Sequence, residues 1–203
     1  VAAEGWEPDV QTDLAIEFIK ANSQRPFGLF LSFGPPHNPY DLVPRQYIDM
    51  YEGSSLTGRP NVPIGNEETL RLYYAAITSL DANIGRLTDA LAEAGVAENT
   101  IFVFTADHGD MLGSQGHRLK QRPWEESINI PFILRYPEKI DPGQEHDWLV
   151  TTVDMMPTVL GLSDIAVPDE VEGLDLSALF EGTSREERQA AFLFNVHRGG
   201  GPG

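Results

Sequence analysis

The hydrophobic pattern of the chain switches between two periods, and each switch marks an element. Leu14-Ala15-Ile16-Glu17-Phe18-Ile19-Lys20 mixes apolar and charged residues at helical spacing, with Thr12 or Asp13 in front as a cap and Asn22-Ser23 closing it. After Pro26, the run Phe27-Gly28-Leu29-Phe30-Leu31-Ser32-Phe33 is apolar on both faces, as expected of a central strand in a covered sheet. Pro35-Pro36-His37-Asn38-Pro39-Tyr40 follows as a stiff loop that excludes helix. Residues 41–66 alternate a short helical hint, Arg45 to Tyr51, with Gly/Pro-rich loop. From Glu68 to Ala94, Tyr73, Ile77, Leu80, Ile84, Leu87 and Leu91 recur at steps of three and four, predicting a long helix with one apolar stripe facing a sheet. Gly95 ends it as a C-cap.

Beyond that helix, Ile101-Phe102-Val103-Phe104 reads as a short buried strand, followed by a long loop containing Asp107 and Lys120. A helical turn is predicted at Pro123-Trp124-Glu125-Glu126-Ser127 and a strand over Pro131 to Tyr136. A short strand is predicted at Trp148-Leu149-Val150-Thr151, and Asp154 is placed as the cap of a helix over 155–160. Ala191-Phe192-Leu193-Phe194 reads as one more strand. Strands and helices in alternation predict an α/β fold: a mostly parallel sheet sandwiched by helices, spanning 1–203 with no internal domain boundary. In it the strands at 27–33, 101–105 and 131–135 share one sheet and helix 68–94 packs on them.

Composition narrows the function. At 203 residues, 41% apolar and 22% charged, the chain has the make-up of an ordinary globular domain. No apolar stretch approaches the roughly 20 residues needed for a membrane span. A formal charge of -17 argues against nucleic acid or an anionic membrane as partner. An anionic substrate would need local positive charge or a metal. The chain has no Cys, which excludes disulfides and thiolate ligands and leaves the compartment open.

The chemistry concentrates at strand ends. Thr105-Ala106-Asp107-His108-Gly109-Asp110 follows the 101–104 run directly, and ligand sites of α/β sheets lie beyond the carboxyl ends of strands. Adjacent Asp107 and His108 offer a carboxylate oxygen and an imidazole nitrogen to one metal ion, with Gly109 allowing the backbone to turn. The alternative is that Asp107 caps a turn and His108 is a satisfied polar residue. His37 and Lys120 should converge on the same end of a parallel sheet. A metal and an amine would neutralise oxygen charge there, and the imidazole of His37 would donate a proton to a leaving group.

These passages in order resemble the sulfatases of the alkaline-phosphatase-like superfamily. The resemblance rests on Pro26 to Phe33 with Pro36-His37-Asn38-Pro39-Tyr40, Tyr73-Tyr74-Ala75 with Leu80-Asp81, and Thr105 to Gly113. It continues through Lys120, Glu125-Glu126-Ser127, Pro131-Phe132-Ile133, Val153 to Leu160 and Gly173-Leu174-Asp175-Leu176. It covers about Asp9 to Gly182. It implies a sulfuric ester hydrolase in which Asp107 and His108 help hold calcium, with manganese or zinc less favoured. Lys120 would bridge the sulfate and the nucleophile, and His37 would contact the sulfate ester and assist the leaving oxygen. Asp110 and His117 are not assigned as ligands, and Gln115 stands where many members carry His. The family's nucleophile is a formylglycine made in a Cys/Ser-x-Pro/Ala-x-Arg motif, which this sequence does not contain. The expectation is therefore a fragment lacking the N-terminal formylglycine segment and the C-terminal subdomain, inactive in isolation.

The implied partner is a small-molecule or carbohydrate sulfate ester, and family members are often periplasmic, secreted or lysosomal. Two alternatives stand beside this reading. One is a phosphodiesterase or phosphonate monoester hydrolase of the same superfamily, and the other a non-catalytic binding protein on a decayed hydrolase scaffold.

Overall fold

Pro8, flanked by Glu7 and Asp9, sets the start of the first helix. Proline at a first-turn position gives up an N–H that would lack a partner anyway, and the acids meet the positive end of the helix dipole. Helix α1 accordingly spans Glu7–Asn22, earlier than the cap expected at Thr12 or Asp13. Thr12 lies mid-helix and is fully buried. The structure, a computed structural model, describes residues 4–62, 67–184 and 188–191. It forms two compact units interleaved in sequence, residues 1–97 with 111–118 and residues 98–110 with 119–203.

In the first unit, α2 spans Arg45–Asp49 and the long helix α3 spans Glu67–Glu93. Gly95, at φ 71°, closes α3, with the Val96 N–H reaching back to the Leu91 carbonyl at 3.0 Å. Helices α1 and α3 are joined by polar rungs. Trp6 Nε1 donates to Ser79 Oγ at 3.2 Å, Asn83 donates to Asp9 at 2.7 Å, Arg86 pairs with Asp13, and Lys20 lies 3.8 Å from Glu93. Residue numbers rise together along both helices, so they run parallel. The buried face of α3 is richer in small and polar residues than the stripe predicts: Ala75, Ala76, Ser79, Asn83 and Ala90 are buried with Leu80, Leu87 and Leu91, while Ile77 is 42% exposed. Small residues let the two helix backbones approach, and α2 with Tyr51 covers Ala75 and Ala76.

The segment 27–33, expected as a central strand, carries no ladder among the described residues, and Phe30 is 85% exposed. A strand needs a hydrogen-bonded neighbour, and none of the described residues supplies one. Its ends are held locally, by an edge contact of Phe27 with Phe18 at 5.9 Å and by the Gly34 N–H on the Glu7 carboxylate at 3.0 Å.

In the second unit, β1 (Phe102–Thr105) pairs with β2 (Phe132–Arg135). Their register sets Phe102 opposite Arg135 and Thr105 opposite Phe132, which is antiparallel. The α/β character holds, but the expected parallel pairing of these two strands is corrected. A parallel pair needs a crossover, usually a helix, of a dozen or more residues. The connection 106–131 between β1 and β2 is long enough for that, but it holds only a short 3-10 turn and the four-residue helix α4, Glu125–Ile128, and not a full crossover helix. Residues 148–151 are not a strand; Trp148 instead stacks on His146 at 3.6 Å and meets Phe180 edge-on at 5.5 Å.

Helices α5 (Met155–Leu162) and α6 (Ser177–Phe180) pack together around Leu162, Leu176 and Leu179. Asp154 stands at the start of α5, but its side chain does not cap that helix. It closes a capping box with Thr151 and pairs with Arg188. The expected strand at 191–194 falls largely outside the described residues. Among the described residues no helix is long and apolar enough to cross a membrane.

Candidate active site

Strand β1 ends at Thr105, and the chain turns at once into Asp107, whose side chain is 87% exposed. His108 Nδ1 lies 2.8 Å from the Gly109 carbonyl. A carbonyl only accepts, so Nδ1 carries the proton in that bond. In the neutral ring the lone pair then sits on Nε2, which is 3.4 Å from Asp107 Oδ2. Two electron-rich atoms held this close repel each other unless Nε2 is protonated or a cation lies against both. A metal-bound imidazole typically has its other N–H fixed by a carbonyl in this way. The pair therefore fits a divalent cation by donor chemistry, although no group of three or more His, Cys, Asp or Glu arranged for an ion occurs among the described residues.

The turn is fastened to α4. The Gly109 N–H donates to the Ser127 carbonyl at 2.9 Å, and a Cβ on Gly109 would lie 2.1 Å from the Glu126 carbonyl oxygen. Close approach, and not a positive φ, is what requires glycine here. Ser127, 3% exposed, also accepts the Arg122 backbone N–H on its hydroxyl at 3.3 Å. One buried serine thus holds both the Asp107-His108 turn and the segment carrying Lys120. Ser127 is a positioning residue that the sequence pattern did not single out, because its bonds run through backbone groups. Replacing it by alanine should cost about 0.5–1.5 kcal/mol, the worth of one ordinary hydrogen bond, and should leave the Gly109 bond in place. Urea unfolding measures this; an unchanged midpoint would show that the hydroxyl bond contributes nothing.

Lys120 sits between two non-glycine residues in the left-handed region, Leu119 at φ 63° and Gln121 at φ 66°. Such conformations cost of order 1–3 kcal/mol each and persist where the surroundings impose them, often at functional sites. His37 belongs to the other unit and is exposed. Its Nδ1 donates to the Asn38 carbonyl at 2.7 Å, which leaves the other ring nitrogen, Nε2, outside that bond. Asp107 and His108 are therefore in contact, Lys120 lies in the same unit and is tied to the same helix, and His37 is described separately. Asp110 and His117 are engaged with other groups.

A Bacteroides fragilis protein assigned as a sulfatase, yidJ, superposes with a TM-score of 0.86 at 33% identity, covering 91% of this chain and 43% of that one. A phosphonate monoester hydrolase from Agrobacterium radiobacter shares the alkaline-phosphatase-like fold at a TM-score of 0.74 and 24% identity, covering 93% of this chain and 46% of that one. The sulfatase family profile matches residues 6–165, and the chain belongs to the sulfatase family.

Among its curated relatives, the ulvan-active sulfatase of Formosa agariphila is 40% identical over 185 residues, 87% of this chain and 36% of the relative. The endo-4-O-sulfatase of Bacteroides thetaiotaomicron is 34% identical, covering 86% of this chain and 37% of the relative. The chain thus spans little more than a third of the length of these relatives. Family membership suggests a divalent metal and a formylglycine.

Proposed function

We propose that this chain forms part of one catalytic domain, 1–203, of a sulfatase that hydrolyses a sulfate ester, most naturally one carried by a carbohydrate. The observation that carries the reading is the Asp107–His108 edge, two lone-pair donors set side by side at the end of β1. Asp107 and His108 hold the divalent cation. A hard carboxylate favours calcium over manganese or zinc, although the imidazole is compatible with either of those. Bound there, the cation supplies Lewis-acid polarisation of a sulfate oxygen.

Lys120 places an ammonium against sulfate oxygen charge, a contribution that grows where water is excluded. His37, with Nδ1 fixed on a carbonyl, carries the proton on Nε2 to the leaving alcohol oxygen. The sequence contains no Cys and no Ser-x-Pro/Ala-x-Arg segment, so no residue of it is proposed as the formylglycine nucleophile. The likeness to phosphonate monoester hydrolases supports a second reading, phosphonate ester hydrolysis. The curated relatives at 30–40% identity are named sulfatases, which favours sulfate.

The test is turnover of an aryl sulfate and an aryl phosphonate by the full-length protein before and after chelation. Sulfate hydrolysis lost on chelation and restored by calcium is the expected result; faster phosphonate turnover, or indifference to chelation, would refute the reading. The chain alone offers two ligands where calcium takes six to eight. Its calcium affinity by calorimetry should therefore be weaker than micromolar.

A further inference from the structure

Cations are scarce in this protein, with 14 Lys and Arg against 31 Asp and Glu, and nearly all of the described ones are spent. Arg86 faces Asp13, Arg135 faces Glu98, Lys139 faces Asp164, and Arg188 faces Asp154. Lys20, Arg45 and Arg71 are likewise ion-paired, Arg25 is bound to the Asn22 amide, and Arg59 is engaged. The exceptions among the described residues are Arg118, Lys120 and Arg122, whose side chains make no ion pair or hydrogen bond there. They stand within one stretch of the sequence, and Lys120 and Arg122 share the second unit.

Arg122 is the more anomalous. Its residue is half-buried, and its Nε is shielded from water with no hydrogen-bond partner. A shielded donor on a charged group is costly when left unmatched, and native proteins rarely leave one so without a use. In a chain so rich in carboxylates, an arginine that pairs with none of the described ones is available to an anion from outside. Its backbone is fixed by Ser127, the residue that also holds the Asp107-His108 turn.

We infer that Arg122 is a second anion-binding residue, taking an acidic group on the substrate other than the sulfate being cleaved. The inference rests on the sulfate-ester reading of the site and names its substrate class: a saccharide carrying at least two anionic groups. Two residues of chain span at most about 7 Å. The backbone positions of Lys120 and Arg122 therefore lie close enough for both side chains to reach one saccharide. The planar guanidinium fork matches the paired oxygens of a carboxylate or a sulfate, which an ammonium does not do as well. A cation held for the substrate would also offset the repulsion that a net charge of -17 imposes on a polyanion.

The experiment uses the full-length protein and three oligosaccharides of one backbone: one sulfate ester only, the same with an added uronate carboxylate, and the same with a second sulfate. Wild type should prefer at least one doubly charged saccharide in kcat/KM, by about tenfold to a hundredfold as charge-assisted hydrogen bonds allow. The arm with the larger preference identifies the anion. Arg122→Ala should abolish the preference and Arg122→Lys should retain part of it. Because the preference is a ratio within each variant, it does not depend on the fraction folded. A preference unchanged in Arg122→Ala, or absent from wild type, overturns the proposal. If wild type cleaves none of the three, the sulfatase reading falls. Calorimetric binding of the same saccharides then decides on Arg122, and an Arg122→Ala protein that still binds the doubly charged ones more tightly overturns it.

Discussion

Alanine at position 109 is expected to destabilise the protein by about 2–4 kcal/mol and, in the full-length protein proposed as a sulfatase, to lower turnover of aryl sulfate about a hundredfold. The added methyl would lie 2.1 Å from the Glu126 carbonyl oxygen, a backbone atom that no rotamer change can move aside. Overpacking of this kind costs typically about 1–3 kcal/mol. Relief by moving the turn would stretch the 2.9 Å bond from Gly109 to Ser127 and add the cost of a buried backbone group left unmatched, about 1–3 kcal/mol. The same movement shifts Asp107 and His108, and a displacement of about 1 Å at a reacting centre costs on the order of a hundredfold. Gly85→Ala is the control: it lies within α3, a Cβ there meets nothing within 4 Å, and stability should rise by about 0.5–1 kcal/mol. Urea unfolding and turnover of both variants check the pair, and a Gly109→Ala protein as stable and active as wild type would refute the packing argument.

Asp154→Ala should cost about 3–5 kcal/mol, the range for breaking one side of a buried ion pair. The carboxylate is fully buried and accepts from the Thr151 N–H and hydroxyl at 2.8 Å each and from the Leu174 N–H at 2.9 Å. Arg188 grips it in a fork at 2.9 and 2.7 Å. Removing it strands a guanidinium that is 15% exposed and uncouples three stretches of chain. Gly173, whose Cβ would lie 1.9 Å from the Val153 carbonyl, is part of the same close fit.

Burial alone would raise the Asp154 pKa, but the hydrogen bonds from Leu174, Thr151 and Arg188 outweigh it and hold the carboxyl below its ordinary 3.8. Between the folded and unfolded values the unfolded chain binds the proton more readily, so stability rises with pH there. The contribution of Asp154 should be complete above about pH 4 and lost as pH falls through the depressed folded value. In Asp154→Asn that acid-limb dependence should shrink, which unfolding midpoints between roughly pH 2 and 5 would measure; an unchanged acid limb would show that other carboxylates carry it.

Much of this architecture is legible in the sequence, and the failures have physical causes. Helix α3 is readable because its stripe and Gly95 agree. Its packing face is less so, since Ala75, Ala76, Ser79 and Asn83 add little apolar signal yet set how close α1 comes. Strands β1 and β2 are visible as apolar runs, but pairing direction depends on the connection, and the residues of a strand do not encode it. The apolar run 27–33 describes what a strand would bury; it does not contain its neighbours. Asp154 reads as a cap of α5 from its position, whereas Arg188, remote in sequence, decides its role.

In the site, Asp107 and His108 stand out because they are adjacent and follow a strand. Ser127 and Arg122 do not, because one works through its carbonyl and hydroxyl and the other is informative only when most of the described cations are seen to be engaged.

The measurement that bears most directly on the central claim, that this chain carries the sulfate-handling half of a sulfatase site, is the kcat/KM of the full-length protein for an aryl sulfate with Lys120 intact and with Lys120→Ala. Loss of one preorganised donor to developing oxyanion charge typically costs about 10²–10³-fold, so a fall of that size, with circular dichroism unchanged, is expected. Turnover by Lys120→Ala within about twofold of wild type, well inside the loss that such a donor implies, would contradict the claim.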